Sequence, residues 1–159
     1  MKPISLRIMK PIFLWLATLL CLSTSAAETN NGVGTRAAAV GDEVMNFALP
    51  DAKGRLHELR RSDARAIVLY FTMNECPIAR QSYAKLRALR KQFGEQGVAV
   101  WIINSDDSES SASVEKEARD HGAGSTPALR DDAQGVTRML GVKRTCEAIA
   151  ISTDRKAHV

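Results

Sequence analysis

Cys76 is the residue best placed for chemistry in this chain. It follows an apolar run, Ala66-Ile-Val-Leu-Tyr-Phe71, and a short loop, Thr72-Met-Asn-Glu75, and Pro77 comes directly after it. The reactive form of cysteine is the thiolate, and a free thiol gives it up only near pH ~8.5. At the start of a helix the first backbone N–H groups have no partner and the macrodipole favours an anion. Pro77 suits the first helical turn, where the N–H it lacks would go unused. Arg80, one turn on, would add positive charge, and Glu75 would work against it. The polar flanks of Cys76 speak against a buried, inert cysteine packed as a small hydrophobe. A thiolate nucleophile is the chemistry this pattern supports.

The elements that must position Cys76 follow from the apolar pattern. Ala66–Phe71 and Val98–Ile103 are continuous β-rich runs, as expected of strands covered on both faces. Between them the spacing predicts a helix from about Ile78 to Phe93, with Tyr83, Leu86 and Phe93 near one face and Gly94 as its stop. A strand, a helix and a strand in this order form a right-handed βαβ unit with parallel strands. Upstream, residues 41–50 read as a short strand followed by a turn at 51–54, and residues 55–59 as a second strand. Downstream, helices are expected over 113–121 and 131–140, the second with Asp131 as its cap and Gln134 completing a capping box. Ala148–Ile151 reads as another strand, and residues 156–159 begin a last one. Thr126-Pro127 reads as loop. The basic residues Lys85, Arg87, Arg90 and Lys91 read as a solvated helix face, and Trp101 as core.

The chain has 159 residues, about one domain, and is 45% hydrophobic and 25% charged, which excludes a disordered or collagen-like polymer. Its net charge of +4 points toward nucleic acid only until the first 27 residues are considered. Lys2, Arg7 and Lys10 precede an apolar run of about twelve residues, and Ser23-Thr-Ser-Ala-Ala27 follows. This is the pattern of a secretory signal peptide, with cleavage expected after Ala26 or Ala27. The run is shorter than the ~20 residues that span a bilayer, so no stable membrane anchor is expected once it is removed. Its loss takes three basic residues and no acidic one, leaving 19 against 18, and the argument for nucleic acid goes with it. Residues 28–39 read as a linker. A periplasmic or secreted location permits disulfides, and beyond the leader two cysteines remain, Cys76 and Cys146. Three cysteines in all are too few for a disulfide scaffold.

Other signals are weak. His57, His121 and His158 have no ligand-like spacing to the cysteines, so no metal site is assigned and no cofactor is expected. Asp106, Asp107 and Glu109 read as a solvated loop rather than a calcium site. No phosphate-cradling glycine loop, Ser-His-Asp order or paired-carboxylate site is evident.

From about residue 40 onward the sequence resembles the thioredoxin-fold redoxins, the group that includes the AhpC/TSA proteins and secreted thioredoxin-like proteins. The matching features are Gly41-Asp with Phe47-x-Leu49, the strand leading into Cys76-Pro77, the run Gly97-Val-Ala-Val-Trp-Ile-Ile-Asn104, and Leu140-Gly-Val with Arg144-Thr-Cys-Glu-Ala-Ile149. The resemblance implies an α/β fold with a central mixed sheet and helices on both faces. It also implies a complete last strand and a closing C-terminal helix, which the sequence, stopping at Val159, does not contain. Either this is a piece of a longer chain or one sheet face lacks its cover, and the latter would lower stability or favour oligomers.

Three departures from the family pattern bear on function. Thioredoxin-like reductases carry a second cysteine three positions after the first; that position is Ala79. Peroxiredoxins place Thr or Ser three residues before the reactive cysteine; that position is Met73, with Thr72 one residue off. Redoxins have Thr-Pro-Glu before the penultimate core strand, with a cis proline packed against the reactive cysteine; here the segment is Thr145-Cys146-Glu147. The resemblance therefore implies that Cys146 faces Cys76. A non-proline cis bond costs ~2.5–4 kcal/mol, so a trans bond at 145–146 and an altered loop are expected. The resulting expectation is an extracytoplasmic thiol–disulfide oxidoreductase with Cys76 as nucleophile and Cys146 as resolving cysteine, supported by Pro77, Arg80 and Thr145. Its partner would be a protein thiol or disulfide, or a reductant, and its substrate alternatively a peroxide. The rivals are a peroxiredoxin-type peroxidase and a non-enzymatic thiol carrier of copper or interaction module.

Overall fold

The computed structural model describes residues 36–152 and the backbone of 157–158. The leader and residues 28–35 of the linker lie outside the described residues.

Five strands form the central sheet: β3 (Ala66–Thr72), β4 (Val98–Asn104), β5 (Ala128–Arg130), β6 (Ala148–Ser152) and β7 (Ala157–His158). Their order is β5-β4-β3-β6-β7. β3, β4 and β5 run parallel, while β6 pairs antiparallel with β3 and β7 antiparallel with β6. A separate antiparallel pair, β1 (Ala48–Pro50) and β2 (Leu56–Glu58), precedes it.

Alternation along the strands divides the core in two. Ile67, Leu69 and Phe71 of β3 and Trp101 and Ile103 of β4 pack with Leu129, Val136 and Leu140 on one face. Tyr70, Val100 and Ile102 pack on the other with Ala79, Tyr83 and Leu86 of α1 (Pro77–Phe93) and Val114 and Ala118 of α2 (Ser111–Asp120). The short helix α3 (Gly135–Met139) lies on the first face. The expected mixed sheet with helices on both faces is therefore observed. Trp101 is core, its ring meeting Phe47 and His57 edge-on.

Several local expectations are corrected. α2 begins two residues earlier than expected, because Ser110 caps it by accepting a hydrogen bond from the Ser113 N–H. The helix expected over 131–140 shrinks to five residues. Asp131 still serves its start, but its carboxylate reaches forward to the Val136 and Thr137 N–H groups, and Gln134 turns left-handed at φ 53° instead of closing a capping box. Thr126-Pro127 is loop, and the residues after it form an element that the sequence did not suggest. Ala128–Arg130 adds a third parallel strand, in register with Ile102, Ile103 and Asn104.

Candidate active site

The site is built where strands end. β3 and β4 run in register to Thr72 and Asn104, and the chain leaves β3 through residues 73–75 into α1. Cys76 is the N-cap of α1 with extended backbone, and Pro77 is its first residue, as expected. β6 runs the opposite way, with Ala148 beside Tyr70, so the residues just before β6 arrive at the C-terminal end of β3. Two hydrogen bonds continue the ladder there: the Cys146 N–H donates to the Phe71 carbonyl at 2.7 Å, and the Phe71 N–H to the Glu147 carbonyl at 2.9 Å. This register sets Cys146 beside the start of α1. The two sulfur atoms are 3.7 Å apart, both as free thiols and both half-buried.

No cis peptide occurs among the described residues, so the bond at 145–146 is trans. The altered loop shows in Cys146 itself, which has φ +68°. A residue with a Cβ held in the left-handed region costs about 1–2 kcal/mol. Glu75, before the other cysteine, has φ +60°. Two of the three non-glycine residues with such backbone among the described residues thus adjoin the pair, and strain of this kind concentrates at functional sites.

Cys76 has its thiol pulled below the ordinary range. The chief cause is the Ala79 N–H at the start of α1, followed against it by burial; the Cys146 side chain, the Ile78 N–H and the Thr145 side chain act in the favourable direction. The Arg80 guanidinium donates two hydrogen bonds to the Glu117 carboxylate, at 2.6 and 3.1 Å, so its charge is paired with that group.

Sequence reasoning missed the support beneath the loop. The Asn74 N–H donates to Glu109 Oε1 at 3.0 Å, and the Glu75 N–H to Glu117 Oε1 at 3.2 Å. Glu109 also accepts from Asn104 Nδ2 at 2.8 Å, and Asn104 is fully buried. Glu109 is thus no solvated loop residue: its two oxygens accept from the Asn74 N–H and from the buried Asn104 amide. Burial pushes its carboxyl upward, with the Asn74 N–H and Asn104 amide opposing. These partners lie 35 to 42 positions from the loop they hold, and no local pattern announces them.

Met73 and Ile78 are exposed apolar residues flanking Cys76, at 40% and 64%. An open groove is lined in part by Phe71, Thr72, Thr137, Lys143, Arg144 and Thr145. Among the described residues no three His, Cys, Asp or Glu side chains gather as metal ligands, and no helix is long and apolar enough to cross a membrane.

A parallel βαβ core with an antiparallel return, carrying a cysteine at the helix start and a second sulfur at the facing loop, defines a thioredoxin-like fold with a dithiol site. Residues 40–156 match the AhpC/TSA family, and the chain belongs to it. The chain is 29% identical over 72 residues to thiol-disulfide oxidoreductase ResA of Halalkalibacterium halodurans. That match covers 45% of this chain and 41% of the relative, so less than half of the relative's length is represented. A hypothetical protein of Sinorhizobium meliloti 1021 superimposes with a TM-score of 0.68 at 29% identity, over 77% of this chain and 69% of that one. Peroxidoxin BcpB of Mycobacterium tuberculosis superimposes with a TM-score of 0.63 at 26% identity, over 76% and 82%.

Proposed function

We propose that the protein is an extracytoplasmic thiol–disulfide oxidoreductase in which Cys76 is the nucleophile and Cys146 the resolving cysteine. The observation that carries this reading is the 3.7 Å separation of the two sulfurs, one of them at a helix start. A disulfide of ~2.05 Å needs an approach of about 1.7 Å, within the reach of side-chain rotation.

The exchange runs in two displacements. The Cys76 thiolate attacks one sulfur of a partner disulfide; the Cys76–partner bond forms and the other partner sulfur leaves as a thiolate. Cys146, having lost its proton to solvent, then attacks the Cys76 sulfur. The Cys76–Cys146 bond forms, the remaining partner sulfur leaves, and the protein has given up two electrons. An external dithiol returns them, and no further cofactor is needed. The partner is a protein disulfide: Met73 and Ile78 offer it apolar contact beside Cys76, and the open groove beside Thr145 leaves room for an extended segment. The location rests on the leader pattern of residues 1–27, which would place the site where disulfides persist.

The likeness to a peroxidoxin favours peroxide as a second substrate. Against it stands the commitment of Arg80 to Glu117, since cleaving an O–O bond leaves an oxyanion that a free cation beside Cys76 would have to meet.

The test is reduction of a protein disulfide, with insulin as substrate and dithiothreitol as electron source, set beside consumption of hydrogen peroxide. The reading predicts exchange that Cys76→Ser abolishes, and a mixed disulfide that accumulates in Cys146→Ser. Fast peroxide consumption with no exchange would overturn it.

A further inference from the structure

Tyr70 lies within β3, its side chain on the face covered by α1, packed among Ala79, Tyr83 and the two cysteines. The residue is 4% exposed. Its hydroxyl oxygen is wholly enclosed, and among the described residues it is the buried side-chain oxygen or nitrogen that no hydrogen-bond partner meets. An unpaired buried hydroxyl is costly, and a phenylalanine would fill the same space without that cost. A hydroxyl kept under such conditions is explained by another state of the molecule in which it is paired.

The neighbours say which state. The polar side chains acting on Tyr70 are Cys146 and Ser82. The Ser82 hydroxyl already donates to the Ile78 carbonyl at 3.0 Å within its own helix, so toward Tyr70 it can act only as an acceptor, and the Tyr70 hydroxyl does not bond to it here. Cys146 differs from Cys76 in what it lacks. Cys76 has the Ala79 and Ile78 N–H groups of α1 to meet its anion. Cys146 sits in a loop, and its own N–H is committed to the Phe71 carbonyl. A thiolate there needs a donor from elsewhere.

We propose that the Tyr70 hydroxyl donates a hydrogen bond to the Cys146 sulfur when that sulfur is a thiolate, and so favours both its attack on Cys76 and its departure when the disulfide is reduced. The inference rests on the resolving role given to Cys146. The donor keeps its proton throughout. In resolution the Cys146 thiolate supplies the electron pair of the new bond to Cys76, and the partner sulfur leaves with the pair of the bond that breaks. In the reverse direction an incoming dithiol supplies the electrons and Cys146 leaves as the thiolate that Tyr70 receives. Burial first, and the facing Cys146 next, hold the phenol far above its usual range, so it remains a donor at any ordinary pH. The groups that face it are accounted for: Tyr83 shares its own hydrogen bond with Thr72 and, last among the causes, raises Tyr70 through charge.

The experiment follows alkylation of Cys146 by iodoacetamide against pH, scored on the Cys146 peptide of the full-length chain. It compares Cys76→Ser with Cys76→Ser/Tyr70→Phe. Loss of a hydrogen bond to a charged group predicts a profile displaced by about one pH unit, or roughly tenfold slower alkylation at pH 7. Thermal melting of Tyr70→Phe should be unchanged or higher, because an unpaired hydroxyl is gone; Ser82→Ala should leave the alkylation profile in place. Superimposed profiles would overturn the inference, as would a Ser82→Ala profile displaced like that of Tyr70→Phe. Alkylation of Cys146 does not require it to resolve anything, so these results are separate from the exchange reading, which fails only if Cys76 and Cys146 never join.

Discussion

The sulfur atoms of Cys76 and Cys146 stand 3.7 Å apart although 70 positions of chain separate them. The sheet closes that distance. β3 delivers Cys76 to the start of α1, and β6, antiparallel to β3, begins two residues after Cys146. The cysteine that replaces a proline in the family pattern thereby becomes a second sulfur within reach of the first.

Cys76 should titrate below free cysteine. In the reduced protein its alkylation midpoint is expected below the free value of ~8.5. The folded value is depressed, so the native state gains stability as pH rises from that value toward the unfolded one, and loses it as pH falls back through the folded value. Denaturant unfolding of reduced protein at several pH values checks this: Cys76→Ser should lack that component of the slope.

Arg80 should matter little to the thiolate. Removing both charges together, as Arg80→Met/Glu117→Gln, is expected to change the Cys76 alkylation rate by less than about threefold, because the pair is already neutral as a unit. The ion pair is partly exposed and a glutamine in place of Glu117 keeps an oxygen for the Glu75 N–H, so stability should change little. A tenfold fall in alkylation rate would show instead that Arg80 acts on Cys76 directly.

Glu109→Ala should destabilise the fold by about 1–3 kcal/mol, because it strips the acceptor from the fully buried Asn104 amide. The Glu109 carboxyl is raised by burial. The pH-linked part of its contribution is therefore full below its unfolded value of ~4.3 and lost as pH rises through the folded value, while the acceptor for Asn104 remains. Chemical denaturation across this range should show that falling slope in the native sequence and not in the variant.

Much of the frame was legible because it is written in long apolar runs. β3, β4 and α1 each carry enough consecutive pattern to be recognised, and α1 starts at Pro77 for the reason its chemistry suggests. β5 is three residues long and owes its state to pairing with β4, which no local pattern records. The shortened α3 reflects a similar limit: Asp131 is a cap, but the backbone between it and Val136 is set by the turn at Gln134. At the site, Cys76 was legible from the residues around it, whereas Cys146 gained its meaning only from the family resemblance. Tyr70 reads as one more β-former in an apolar run; only burial of its hydroxyl distinguishes it. Glu109 and Glu117 hold the loop across 35 to 42 positions, a relation that exists only after folding.

Joining the two cysteines should also steady the fold. A bridge closing a loop of about 70 residues is expected to add about 2–4 kcal/mol in denaturant unfolding of oxidised against reduced protein. Cys146→Ser should show no such difference.

The central claim is that Cys76 and Cys146 form one reversible redox pair. Equilibrating the full-length protein in glutathione buffers of graded ratio and mapping the peptides without reduction tests it directly. The account predicts a linked Cys76–Cys146 peptide that grows with oxidation and vanishes on reduction in a single two-electron transition. Thiols that stay free under mild oxidation, or that are capped singly by glutathione with no linked peptide at any ratio, would contradict it.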